Sequence, residues 1–215
     1  LLEIFPDFLL DLVAIGTIAD MVSLTDENRI FVKQGLELIN EDPRIGIKML
    51  LELSGITSKV DEQTIGFYIA PKLNSIGRMS SAKLGLSFLM AEDAYDAKIL
   101  AEKIEENNIQ RKSVTEDIVK DIISKIENSD KKNKNVIMIY GDYHEGVLGI
   151  VASNIVERYQ RPVLIMTNKD GILKGSARSI FDFNIYTAMN KISDLFLAFG
   201  GHTLAAGFSF DENNL

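Results

Sequence analysis

The chain has 215 residues, of which 46% are hydrophobic and 25% are charged, and it contains no cysteine. These values are typical of one large or two small globular domains, and they exclude disulfides and thiolate metal sites. The chain has no run of about 18 apolar residues that would predict a transmembrane helix, and its lack of cysteine fits a cytoplasmic origin. Because it begins with Leu1 instead of Met, we expect a piece of a longer protein.

The net charge of −8 argues against a nucleic-acid-binding protein, since such proteins usually present a basic surface. A local groove can still be basic in an acidic protein, because the field near a site depends mainly on the nearest charges. Charge therefore disfavours a nucleic-acid partner without excluding one.

The first 90 residues predict helices joined by short loops. An apolar segment, Phe8 to Ile18, ends at Asp20, and a capped helix follows from about Arg29 to Ile39. The next predicted elements are a helix from Asp42-Pro43 to Gly55, a helical piece Gln63–Ile69, a loop Pro71–Arg78, and a helix Ala82–Met90 capped by Ser80 and Ser81.

Residues 93–128 carry the longest helical pattern, which is apolar at both ends and polar in the centre. Such a helix is often a spacer between two domains. We place the domain boundary near residue 130, where the polar run Ser129–Asn135 predicts a loop.

The rest of the chain predicts a compact α/β module. Its elements are a strand Val136–Tyr140, a turn containing His144, a helix Leu148–Arg158, a strand Val163–Met166, a strand 172–178, a helix 184–195, a turn Phe199–His202, a short helix Thr203–Ala206 and a strand Phe208–Phe210. Gly146 and Gly149 lie at the start of the first helix, where backbone amides can approach a ligand.

Ser176 and Arg178 lie two residues apart on a predicted strand, so both point to one face. Together they can hold an anion, with the arginine binding in a forked, bidentate manner. A turn serine and a surface arginine are the alternative interpretation.

Gly200, Gly201 and His202 follow one another before a segment of small residues. The glycines can form an anion-holding backbone nest, and a tight turn with a packed histidine is the alternative. His144 and His202 are the only histidines, and no carboxylate lies at a spacing typical of a shared metal site. Asp20 ends an apolar run, either as a metal ligand or as a helix cap.

A series of motifs resembles the single-strand-specific 5′→3′ exonucleases of the DHH phosphoesterase superfamily. The motifs are Asp11–Asp20, Asn28-Arg29, Leu73–Arg78, Asn108-x-x-Arg111-Lys112, His144–Ala152, Lys174–Ser179 and Phe199–Gly207. Each motif is weak alone, but the combination is specific, keeps the family's order and extends over nearly all 215 residues.

The resemblance implies an α/β fold in three parts: residues 1–90 as the C-terminal part of a DHH catalytic domain, 91–130 as a connecting helix and 131–215 as a small mixed-sheet DHHA1 substrate-binding domain. It implies hydrolysis of phosphodiester bonds of single-stranded DNA from a 5′ end, by a two-metal centre of Mn²⁺ or Mg²⁺. It also implies a role in DNA repair and recombination, with a single-strand-binding protein or a helicase as candidate partners.

The chain departs from the family pattern because it contains neither Asp-His-His nor Asp-x-Asp. Asp20 matches the carboxylate of the family's last metal-binding motif, and Asp11 is a weaker candidate. One carboxylate cannot hold a two-metal centre, so we expect the chain alone to be inactive.

The resemblance leaves this chain with the part that grips the substrate. It implies that Arg78, Ser176 and Arg178 hold DNA phosphates, with help from Asn74. It further implies a glycine-rich wall made by Gly146, Gly200, Gly201 and His202, with His144 as a catalytic or substrate contact near the metals.

Two other functions stay open from the sequence. One is a phosphodiesterase of the same superfamily that acts on oligoribonucleotides or cyclic dinucleotides; the form of Ile15–Asp20 and the long helix favour the exonuclease over it. The other is a non-catalytic binding module, for which the net charge of −8 is the best support.

Overall fold

The structure is a computed structural model, and it describes residues 6–214. Its helices and strands fall into two compact units, one ending at Gln110 and the other beginning at Arg111. The division lies inside the longest helix, whose predicted existence is confirmed. The α/β class is confirmed, whereas the division into residues 1–90, 91–130 and 131–215 stays a prediction.

The described part of the first unit is helical. Its α-helices are α1 (Leu10–Ala19), α2 (Asp26–Glu41), α3 (Ile45–Leu53), α4 (Glu62–Thr64), α5 (Ala70–Met79) and α6 (Ala82–Leu89), and α7 (Ala94–Glu127) begins here. Ser81 caps α6 as predicted, since its hydroxyl accepts a hydrogen bond from the Lys83 amide. Among residues 6–214, no helix is long and apolar enough to span a bilayer.

The predicted loop from Pro71 to Arg78 is wrong, because these residues belong to α5. Pro71 lies at the start of that helix, directly after a π-helical turn, Ile65–Ile69. Proline lacks an amide hydrogen and its ring clashes with the carbonyl four residues earlier, so a regular helix would be broken there. The π turn changes the hydrogen-bond spacing locally, and the helical path continues through the proline.

Helices α1 and α2 cross at very short range. A Cβ atom on Gly35 would lie 2.2 Å from the Leu10 carbonyl oxygen and 2.5 Å from the Ala14 Cβ atom. Glycine at this position therefore lets the two backbones approach each other. The crossing belongs to an apolar core that includes Ile15, Val32 and other buried side chains.

The second unit contains a five-stranded mixed sheet. The strands are β1 (Ile137–Tyr140), β2 (Val163–Lys169), β3 (Ile172–Arg178), β4 (Ala198–His202) and β5 (Ala205–Asp211), and their order in the sheet is β1-β2-β3-β5-β4. Strands β1 and β2 are parallel and flank helix α8 (Leu148–Tyr159) in the sequence. The remaining pairs are antiparallel.

The two faces of the sheet differ in chemistry. One face carries Ala206, Phe208 and Phe210, which pack with Ile185 and Met189 of helix α9 (Ile185–Asn190). Helix α8 packs against β2 and β3 on the other face. Because side chains alternate along a strand, the residues between the apolar ones point to the α8 face.

The predicted turn Phe199–His202 and the predicted short helix Thr203–Ala206 are both wrong. The former is strand β4, and the latter contains the turn and the start of β5. The predicted strand Phe208–Phe210 lies within β5. The segment is extended because every second residue of β5, namely Ala206, Phe208 and Phe210, is buried in the core.

Replacing Gly35 by alanine should lower the free energy of unfolding by about 1–3 kcal/mol, because the added methyl overpacks the crossing of α1 and α2. Gly16 on α1 provides the matched control, since no atom lies within 4 Å of its Cβ position. Gly16→Ala should raise the free energy of unfolding by up to about 1 kcal/mol, as alanine is the better helix former. Urea unfolding followed by circular dichroism measures both, and equal shifts for the two variants would contradict the assigned crossing.

Candidate nucleic-acid interface

The register of three strands aligns the predicted site residues in rows. Strand β5 lies between β3 and β4, and paired residues across these strands point to the same face. The rows are Arg178–Ala205–His202, Ser176–Gly207–Gly200 and Lys174–Ser209–Ala198. We call these nine residues the polar floor. All nine are small, polar or charged, so this part of the α8 face has no apolar core residue.

The centre of the polar floor is open. No atom lies within 4 Å of the Cβ position of Gly200 or of Gly207, and both residues are exposed. Neither glycine has a positive φ angle, so the backbone does not require glycine there. The packing does not require it either. The missing side chains leave backbone atoms accessible to a ligand that lies flat on the sheet.

The first turn of α8 borders the polar floor. A Cβ atom on Gly149 would lie 2.8 Å from Nη2 of Arg178 and 3.3 Å from the Ser176 hydroxyl. Glycine therefore lets both side chains lie against the start of the helix. Arg178 also donates from Nη1 to the Ser176 hydroxyl at 2.9 Å, which fixes the two groups together.

This arrangement places a guanidinium beside the positive end of a helix dipole. Amide hydrogens point outward from a helix N-terminus and favour anions, as a guanidinium does. Arg178, the Ser176 hydroxyl and the start of α8 thus all suit the same kind of ligand. A phosphate group, with several acceptor oxygens, has that chemistry.

His144 caps the turn that leads into α8. Its Nδ1 atom accepts a hydrogen bond from the Gly146 amide at 3.2 Å, and its side chain is exposed. With Nδ1 as the acceptor, the neutral imidazole carries its proton on Nε2, which is then a donor. The structure gives His144 a capping role, while its predicted catalytic or substrate contact stays a prediction.

Tyr143 fixes the backbone directly before His144. Its amide donates to the Thr167 hydroxyl at 3.2 Å, and its ring leaves no room for a side chain at Gly141. Its hydroxyl donates to Asp121 at 2.7 Å and accepts from Lys125 at 2.8 Å. Burial raises the pKa of the Tyr143 hydroxyl, and the hydrogen bond from Lys125 lowers the pKa of Asp121. The end of α7 and the His144 turn are therefore tied by an ordered polar cluster.

Gly201 differs from its neighbour Gly200. A Cβ atom on Gly201 would lie 2.2 Å from the Ala205 carbonyl oxygen and 2.6 Å from the Ala206 Cα atom. Packing between β4 and β5 thus explains this glycine. Alternation along β4 places Gly201 on the face opposite to Gly200 and His202. That Gly201 belongs to a ligand-facing wall stays a prediction.

In the first unit, Asn74 and Arg78 lie four residues apart on α5 and therefore share a helix face. Both are exposed. No atom lies within 4 Å of the Cβ position of Gly77, which precedes the arginine. The helix thus presents a guanidinium and an amide side by side.

The two candidate carboxylates have different surroundings. Asp20 caps the C-terminus of α1 through its backbone amide, and its residue is exposed. Asp11 is buried, at 2% exposure, and it forms an ion pair with Arg44 at 2.5 Å. Among residues 6–214, no group of three or more His, Asp or Glu side chains could hold a metal ion. The described residues thus do not form a two-metal centre by themselves, and Asp20 stays a predicted single ligand.

The predicted site lacks six residues of the polar floor and its border, which are Gly149, Lys174, Ala198, Ala205, Gly207 and Ser209. Gly207 was seen in a motif but not assigned a role, since its pairing with Ser176 and Gly200 depends on the register. Gly149 was noted only for its position at a helix start. Its contact with Arg178 depends on how α8 packs on β3, which no local pattern encodes.

Comparison with known proteins first defines the class of domain. Residues 132–215 match the family model of the DHHA1 domain. The second unit, with its mixed sheet and open polar floor, therefore contains a DHHA1 domain.

Over its full length, the chain is similar to the single-stranded-DNA-specific exonuclease RecJ. It is 40% identical to the Bacillus subtilis protein across 100% of this chain and 28% of that protein. It is 37% identical to the Escherichia coli protein across 95% of this chain and 37% of that protein. The chain thus spans well under half of the relatives that it matches.

Solved structures give the same result. The chain matches RecJ from Thermus thermophilus in complex with Mg²⁺ with a TM-score of 0.85 and 34% identity, covering 97% of this chain and 32% of the other. The Mn²⁺ complex of that protein matches with the same TM-score, covering 31% of it. The predicted resemblance is confirmed for the part of RecJ that this chain spans.

Replacing Gly201 by alanine should lower the free energy of unfolding by about 1–3 kcal/mol, because the methyl would overlap the β5 backbone. Gly200→Ala, one residue earlier on the same strand, should change it by less than about 0.5 kcal/mol. Urea unfolding of the two variants under the same conditions makes the comparison. Greater damage from Gly200→Ala would overturn the assignment of Gly200 to the open face.

Proposed function

We propose that the chain is the substrate-gripping part of a single-strand-specific 5′→3′ DNA exonuclease and that its polar floor binds DNA phosphates. The observation that carries the proposal is the position of Arg178 and Ser176 against the first turn of α8, beside the open glycines of β4 and β5. Similarity to RecJ over the whole chain supports the choice of single-stranded DNA as the ligand.

The chemistry of the polar floor suits a ligand that is recognised without reading its bases. A guanidinium, a hydroxyl and backbone amides contact phosphates equally well in any sequence. The negative total charge is compatible with this function, because the cations of the polar floor act at short range. We propose that Asn74 and Arg78 on α5 also contact a DNA phosphate.

The proposed hydrolysis requires metal ligands beyond those described. Mn²⁺ or Mg²⁺ would activate water and stabilise the reacting oxygens when bound by the complete set of ligands. Asp20 is the one proposed ligand from this chain. We therefore propose that the 215-residue chain binds DNA without cleaving it. A cytoplasmic location and a single-strand-binding protein or helicase as partner stay predictions.

Replacing Arg178 by alanine should weaken binding of 5′-phosphorylated oligothymidylate by about tenfold or more, since a charge-assisted hydrogen bond is lost. The plot of log affinity against log salt should become shallower by about 0.7 for each lost phosphate contact. Arg78→Ala should act in the same direction. Fluorescence anisotropy with a 3′-labelled oligonucleotide measures these effects.

Arg161→Ala is the matched control, because it removes the same charge from a side chain that donates to the Lys132 and Lys134 carbonyls. It should change the affinity by less than about twofold. Equal effects of Arg178→Ala and Arg161→Ala would contradict the proposed phosphate contact and would favour a binding module for another ligand.

A further inference from the structure

One side chain beside the polar floor has the wrong charge for a phosphate site. Glu145 follows His144 in the turn before α8, and its carboxylate lies 3.1 Å and 3.4 Å from the Nζ atom of Lys174. Lys174 belongs to the polar floor and lies two residues before Ser176 on the same face of β3. The ion pair therefore holds a cation of the polar floor against an anion.

The ion pair between Lys174 and Glu145 contributes little to the stability of the fold. The side chains of Lys174 and Glu145 are 39% and 50% exposed. Ion pairs with such exposure contribute little to stability, because water screens the charges and two long side chains lose freedom. Glu145 also lies at the start of a helical turn, where an acidic group is favourable. Neither effect requires Lys174 to lie within the polar floor.

The pair matters more for a polyanionic ligand. Lys174 is the only lysine in the three rows, and Arg178 is the only arginine. Neutralising Lys174 removes about half of the fixed positive charge of the rows. Binding that is equally tight in the ground state and in the transition state does not speed the chemical step. An exonuclease must also release its strand in order to advance along it.

We propose that Glu145 sequesters Lys174 from DNA phosphates and thereby limits the affinity of the polar floor for single-stranded DNA. This inference rests on the proposed function of the polar floor. Glu145 is thus a residue that sets affinity through Lys174, without touching the strand as a catalytic group. The chemistry is a competition between one carboxylate and the phosphates for the same ammonium group.

Replacing Glu145 by glutamine tests the competition, because the amide keeps the shape of the side chain and loses its charge. Glu145→Gln should bind 5′-phosphorylated oligothymidylate about three- to tenfold more tightly at low salt, and log affinity should fall more steeply with log salt by about 0.7. Lys174→Gln should weaken binding. The double variant should lose the gain of Glu145→Gln, since no lysine is left to release.

Asp117→Asn is the charge-matched control, because Asp117 pairs with Lys120 at 3.9 Å on α7 and both side chains are 74% exposed. It should change affinity by less than about twofold. Thermal unfolding of each variant verifies that it is folded, and Glu145→Ala provides a second charge removal should the glutamine variant not fold.

The outcomes separate the two proposals. No gain for either Glu145 variant, or an equal gain for Asp117→Asn, would overturn the role of Glu145. A gain that persists in the Glu145→Gln/Lys174→Gln double variant would also overturn it, because Lys174 would then not be the responsible group. If Arg178→Ala leaves binding unchanged in the same assay, the proposed function of the polar floor fails first.

Discussion

The antiparallel register of β3, β5 and β4 is the constraint on which the site depends. Pairing Ser176 with Gly207 and Gly207 with Gly200 places a residue of β3 in one row with two glycines of the consecutive strands β4 and β5. A shift of β5 by one residue would turn Gly207 to the apolar face and bring Ala206, Phe208 and Phe210 to the face of the polar floor. The packing of those apolar residues with α9 therefore maintains the polar floor on the other face.

Glycine serves two separate purposes in this unit. At Gly201, the β5 backbone leaves no room for a Cβ atom, so packing accounts for the residue, whereas a Cβ atom on Gly149 would displace the end of the Arg178 side chain. At Gly200 and Gly207, the space is open, which fits the proposed approach of a ligand to the sheet. Gly149 and Gly201 thus permit close packing of Arg178 and of strand β5, and Gly200 and Gly207 leave the sheet surface beside them accessible.

Local sequence patterns predicted the long helix, α8 and the strands β1 to β3, because hydrophobic periodicity and capping signals are strong there. They failed at Pro71–Arg78, where a π turn carries the helix through proline, and at Phe199–Ala206, where tertiary pairing extends residues with little strand preference. Ser176 and Arg178 were predicted as neighbours from strand alternation. Their contact with Gly149 and the alignment with Gly207 required packing and register, which arise between elements distant in the sequence.

Amide chemical-shift mapping of the isotopically labelled chain with a 5′-phosphorylated oligothymidylate tests the central claim most directly. We expect large shifts for the amides of Gly149, Ser176, Gly200 and Gly207, which lie on the polar floor or its border. We expect small shifts for Phe208 and Phe210, whose side chains face α9. Shifts confined to the apolar face or to residues outside the polar floor would contradict phosphate binding at the polar floor.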